Sequence, residues 1–155
     1  MNSVVKTLSE YKIIFSIAFL SILTAFLLKP GIMPAMGFFL GALAILKILN
    51  LNGFTKGFQK YDIIAKRFPI YAAAYPLIEL TIAICLIGST YLNIISIPTI
   101  IIGAIGSYSV YKTVYIQKKK FNCACVGSIF NVPLGPVSLI ENLAMTLMGV
   151  ACFFA

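Results

Sequence analysis

Two cysteines one residue apart, Cys123 and Cys125, follow three lysines, Lys118, Lys119 and Lys120, in a stretch that also holds Gly127, Pro133 and Pro136. Neighbouring ammonium groups favour the thiolate, which is both the nucleophile of disulfide exchange and a ligand for soft metal ions. A disulfide across one intervening residue closes a small strained ring and is readily reduced. The pair therefore predicts thiol–disulfide redox work, one sulfur attacking and the other resolving. Its alternative is soft-metal carriage of the mercury or copper type, with linear coordination by two thiolates. Two unrelated small residues in a loop is the plain reading, against which stands the oxidation liability of exposed paired thiols.

The other reactive groups are few. The chain has no histidine and no tryptophan, so proton or metal chemistry falls to Cys, Asp, Glu, Tyr or Lys. Imidazole-base and most zinc-enzyme mechanisms are excluded. Glu79 lies about ten residues into an apolar run, where an ionised carboxylate costs at least a few kcal/mol. It must face the bundle interior, protonated or paired, as a proton carrier or ligand or as an interhelical hydrogen-bond anchor. Pro76, three residues earlier, is expected to bend that helix and free backbone carbonyls.

Glu141 opens the last apolar run beside the cysteine stretch. It either stabilises the helix N-terminal dipole or exchanges protons with the thiols. Asp62 is the one acid in a basic segment, where it either pairs with Lys66 at i+4 or docks against the cysteine loop. Cys85 and Cys152 fall inside apolar runs, as small packing residues or as part of a second thiol pair or metal path.

The elements that position these residues are set by solvent. Of 155 residues, 61% are hydrophobic and 10% charged, and mean hydropathy is +1.02. A soluble domain needs roughly 25% charged residues to clothe its surface, so most of this chain's solvent is lipid. The pattern predicts a single all-α integral membrane domain over residues 1–155 with about five transmembrane helices, at 13–28, 32–49, 70–91, 94–115 and 137–155. Gly37 and Gly41, four residues apart, suit close helix packing. Residues 54–68 mix Lys56, Lys60, Lys66 and Arg67 with Phe54, Phe58, Tyr61, Ile64 and Phe68 at spacings of three and four. That predicts an amphipathic helix lying on an anionic membrane surface. Residues 118–136 form the polar loop with the cysteines. No small-residue cleavage site follows the first apolar run, which is expected to stay as an uncleaved span.

A net charge of +8 invites a nucleic-acid partner, but the basic residues flank apolar segments and form no stripe or RNA-binding motif, so no nucleic acid is expected. They serve as topology signals. With a cytoplasmic N-terminus, Lys6, Lys12, Lys47, Lys56, Lys60, Lys66, Arg67, Lys112 and Lys118 to Lys120 fall inside and only Lys29 outside, eleven against one. This predicts a multi-pass protein of the bacterial inner membrane. The cysteine loop and amphipathic segment are then cytoplasmic and the C-terminus outside.

Three stretches together resemble a known family. Tyr61-Asp62-Ile63-Ile64-Ala65-Lys66, then Tyr75-Pro76-Leu77-Ile78-Glu79, then Asn122-Cys123-Ala124-Cys125-Val126-Gly127 are similar to the MauE/DoxX-like redox-associated membrane proteins, from about Met36 to Ala155. The resemblance implies a four-helix core, to which the 13–28 span is an N-terminal addition. Cys123 and Cys125 match the redox pair, and Pro76 and Glu79 the motif within a span. MauE proteins are implicated in maturing methylamine dehydrogenase, a disulfide-rich periplasmic enzyme, and DoxX relatives in quinone-linked oxidation. The resemblance thus implies thiol–disulfide work, with a quinone as a cofactor to consider. An extra span turns the loop to the cytoplasm, where a thioredoxin- or glutaredoxin-like partner fits better. In the metal alternative Cys85, Cys152 and Glu79 extend the path and a small metal-binding protein is the partner. A non-catalytic assembly scaffold is the third class.

Overall fold

The computed structural model describes residues 2–28, 30–121 and 134–154, in which all regular structure is helical. Helix α1 spans Asn2–Leu28 and α2 Ile32–Leu49. Two short helices follow, α3 at Leu51–Phe58 and α4 at Ile63–Arg67. Then come α5 at Pro69–Gly88, α6 at Leu92–Tyr111 continued by a π-helical turn at Lys112–Ile116, and α7 at Pro136–Phe154. Among the described residues, three helical stretches are long and apolar enough to cross a membrane: Ile32–Leu49, Pro69–Gly88 and Leu92–Ile116. Two shorter apolar stretches, Ile14–Leu28 and Ser138–Phe154, accompany them. Large apolar side chains such as Phe26, Ile70 and Phe154 point outward, which suits lipid rather than water. The chain is an all-α, multi-pass membrane protein.

The helices pack as two close pairs, α2 with α5 and α6 with α7, and α1 lies against α2. Small residues permit the close approach. A Cβ on Gly37 would lie 2.8 Å from the Ala83 carbonyl oxygen, and one on Gly103 would lie 2.8 Å from the Thr146 amide nitrogen. Backbone meets backbone in both pairs, as small residues allow where no hydrophobic force drives helices together. The pairs join through one apolar cluster containing Leu40 of α2, Ile82, Ala83 and Leu86 of α5, Ile95 of α6, and Met145 and Cys152 of α7.

The basic–aromatic segment differs from the single interfacial helix expected over 54–68. It forms α3 and α4, separated by a turn. The break has a local cause: Asp62 adopts an extended backbone, and its side chain accepts from the Ile64 and Ala65 amides at 3.0 and 2.8 Å. It thereby starts a new helix. The apolar face has the expected spacing, but Phe54, Phe58, Tyr61 and Ala65 turn into the protein and pack with Ala72, Tyr75 and Val110. Lys56, Lys60, Lys66 and Arg67 remain exposed. Most of the greasy face is therefore turned into the bundle, while Phe68 stays exposed and Ile64 half-buried. Helix α5 runs through Pro76 without interruption.

Candidate functional site

Lys47, Glu79 and Glu141 converge at the centre of the bundle. Each lies on the inward stripe of its own helix. On α2 the buried positions Gly37, Leu40, Gly41, Ala44 and Lys47 recur every three or four residues, and on α5 the same rule links Ala72, Tyr75, Pro76, Glu79 and Ile82. Glu141 is buried on α7 with Ser138, Asn142 and Met145. The Lys47 ammonium donates to Glu79 Oε2 at 2.6 Å and to Glu141 Oε1 at 3.3 Å. Its Nζ also stands 5.9 Å from the Phe54 ring centroid and 5.3 Å from that of Tyr75, close enough for cation–π attraction. Side-chain exposure of the three ionic groups is 1%, 1% and 6%, so water hardly screens them.

Glu79 therefore faces the interior and is paired, as its depth requires. Glu141 lies beyond the first turn of α7 and is bonded across the bundle to Lys47, so it is not the helix-end dipole stabiliser expected. Lys47 corrects the sequence reading most. Counted there as a cytoplasmic topology marker, it is buried. Removing it from the tally leaves ten basic residues against one. Its signal was present, because Lys47 continues the stripe that Gly37, Gly41 and Ala44 define.

Cys123 and Cys125 lie outside the described residues, as does everything from 122 to 133. The flanks of that segment are described, and they meet: the Leu134 amide donates to the Phe121 carbonyl at 2.7 Å. Leu134 belongs to the cluster of Phe54, Phe58, Tyr61 and Tyr75, and Phe121 packs against it. The Phe58 and Tyr75 ring centroids lie 4.7 Å apart within it, the rings tilted 48° to each other. Both described flanks of the cysteine segment therefore pack on the aromatic group that also supplies two rings to the Lys47 ammonium.

Asp62 is not the surface ion-pair residue expected. It is 1% exposed and caps α4 beneath the basic surface. Burial pushes its carboxyl above the usual carboxylate range; the Ala65 amide, the Ser109 hydroxyl, the Ile64 amide and the Lys66 charge oppose that shift. Cys85 and Cys152 are free thiols, Cys152 buried in the apolar cluster that joins the helix pairs and Cys85 packed against it. Among the described residues, no group of three or more Cys, Asp or Glu is placed to hold a metal ion.

These features define a polytopic helical membrane protein with a buried lysine–dicarboxylate cluster whose neighbouring aromatic rings also receive Phe121 and Leu134. The model of the methylamine utilisation protein MauE family matches residues 12–155, and the chain belongs to that family. The match takes in α1 from Lys12 onward, so that helix is part of the family's region rather than an addition to a core that starts near Met36. No curated protein and no solved structure matches the chain.

Proposed function

We propose that this protein is a membrane thiol–disulfide redox protein, in which Cys123 and Cys125 pass between dithiol and disulfide. The supporting observation is the shared aromatic cluster: the flanks of the thiol segment pack on a cluster that includes Phe54 and Tyr75, the two rings near the Lys47 ammonium, which also pairs with Glu79 and Glu141. Acid–base groups that share an aromatic cluster with the two flanks of the thiol segment suit proton transfer during exchange. In the step proposed, one thiolate of the pair attacks a disulfide of a thioredoxin- or glutaredoxin-like protein. A mixed disulfide forms, the partner's own S–S bond breaks, and the departing partner thiolate takes a proton. The second cysteine then attacks the mixed disulfide, forming the Cys123–Cys125 bond and expelling the partner as a dithiol. Two electrons pass from this chain to the partner, and the reverse sequence returns them. Within the family's association with methylamine utilisation, the chain's contribution would be to the thiol state of a partner protein.

The charge bias supports a bacterial inner membrane location with the N-terminus and thiol segment cytoplasmic. Thiol labelling of the purified protein tests the proposal. Oxidation by a partner disulfide should protect Cys123 and Cys125 from alkylation and leave Cys85 and Cys152 unchanged. Protection by a soft metal ion alone, with none from oxidant, would favour metal carriage instead.

A further inference from the structure

The central cluster is short of one positive charge. Fully ionised, Lys47, Glu79 and Glu141 carry one positive and two negative charges inside a bundle where each is at most 6% exposed. An uncompensated charge in such a place costs several kcal/mol. No second cation with a described side chain supplies the balance: Lys12, Lys56, Lys60, Lys66, Arg67 and Lys118 to Lys120 are exposed, and Lys112 is half-buried with its ammonium 5.9 Å from the Tyr108 ring centroid. The titratable neighbour from the surrounding helices is Tyr75, whose ring is turned to the Lys47 ammonium.

A second observation falls at the same place. Glu79 Oε2 is held by Lys47 at 2.6 Å, while Glu79 Oε1 is enclosed and has no hydrogen-bond partner among the described residues. A buried carboxyl oxygen left unsatisfied marks a missing hydrogen or ligand. A metal ion needs a full set of oxygen or sulfur ligands; a proton needs none beyond the carboxyls already present. We infer that Lys47, Glu79 and Glu141 form an intramembrane cluster that binds a single proton. Because the two acids lean on one ammonium, the proton belongs to the cluster and not to either residue. With it the cluster is neutral; without it α2, α5 and α7 surround a net negative charge. The proton site rests on α2, α5 and α7 alone, and only its use as the thiols' proton source rests on the function proposed above.

Infrared spectroscopy of the full-length protein in lipid counts protonated carboxyls by their carbonyl stretch. The chain has four acids, Glu10, Asp62, Glu79 and Glu141, so the count is made in an Asp62→Asn background. One buried protonated carboxyl per chain is expected. Glu79→Gln and Glu141→Gln, near-isosteric changes that leave one acid for one lysine, should each bring that count to zero. Lys47→Met should raise it to two. A band absent from the parent, or one that survives both glutamine variants, overturns the proposal. The same spectra with Cys123→Ser and Cys125→Ser should keep the band. Failure of the thiol function then reads differently, as a band that persists but ignores the oxidation state of the native cysteines.

Discussion

Lys47 Nζ and Glu79 Oε2 stand 2.6 Å apart, both side chains 1% exposed, on two helices that pack close enough for Gly37 to touch the backbone of α5. Breaking a buried ion pair by removing one member leaves the other charge uncompensated, at a cost of about 3–5 kcal/mol. Lys47→Met should therefore lower the unfolding temperature in detergent markedly. Lys47→Met combined with Glu79→Gln should recover part of the loss, because one of the two carboxyls that must then be neutralised in the interior is gone. A double variant less stable than Lys47→Met alone would contradict the pairing.

Asp62 couples folding to pH. Its carboxyl sits above the usual range in the folded protein, chiefly through burial. For an acid shifted upward, the folded state binds the proton more tightly than the unfolded one. Its favourable contribution is present below the unfolded value and fades as pH rises towards the folded value. Asp62→Asn should flatten that part of the stability profile in a melting series across acidic pH. Asp62→Ala should instead lose the cap on Ile64 and Ala65, at about 1 kcal/mol.

The α6–α7 contact is sensitive to a single methyl group. A Cβ on Gly103 would meet Thr146 Oγ1 at 2.6 Å and the Asn142 carbonyl oxygen at 2.9 Å, and the second of these cannot rotate away. Gly103→Ala should cost about 1–3 kcal/mol through overpacking. Gly41→Ala, where the added carbon would lie 3.5 Å from Ala83 Cβ, should be close to neutral. Paired thermal melts distinguish the two.

The sequence made some of this legible and hid the rest for physical reasons. Apolar run length announced the membrane helices, because an unsatisfied backbone cannot cross lipid. The α2 bounds agree with the apolar run at 32–49. Depth alone required Glu79 to face the interior, protonated or paired. Its partner was hidden because Lys47 lies near a helix end, where a lysine ordinarily snorkels to the surface; only its place on the glycine stripe sets it apart. The turn at Asp62 was hidden because aromatic spacing carries through it, and an aspartate at i–4 to Lys66 looks the same in an ion pair as in a cap. The likeness to MauE rested on motifs from Tyr61 onward, so α1 from Lys12, which the family match includes, carried no signal.

The surviving charge bias, ten basic residues against one, supports the orientation proposed above. In spheroplasts Cys123 should be shielded from a membrane-impermeant thiol reagent added outside and labelled once the membrane is opened. Labelling in the intact spheroplast would invert the topology.

The most direct test of the central claim replaces one thiol at a time. If Cys123 and Cys125 attack and resolve, Ser at the resolving position leaves a mixed disulfide that cannot collapse. One of the two variants, Cys123→Ser or Cys125→Ser, should then accumulate a reductant-sensitive adduct with a thioredoxin- or glutaredoxin-like protein on non-reducing gels. The other variant, and the native protein, should not. Absence of any adduct from both variants, with soft-metal binding weakened equally in each, would contradict thiol–disulfide exchange.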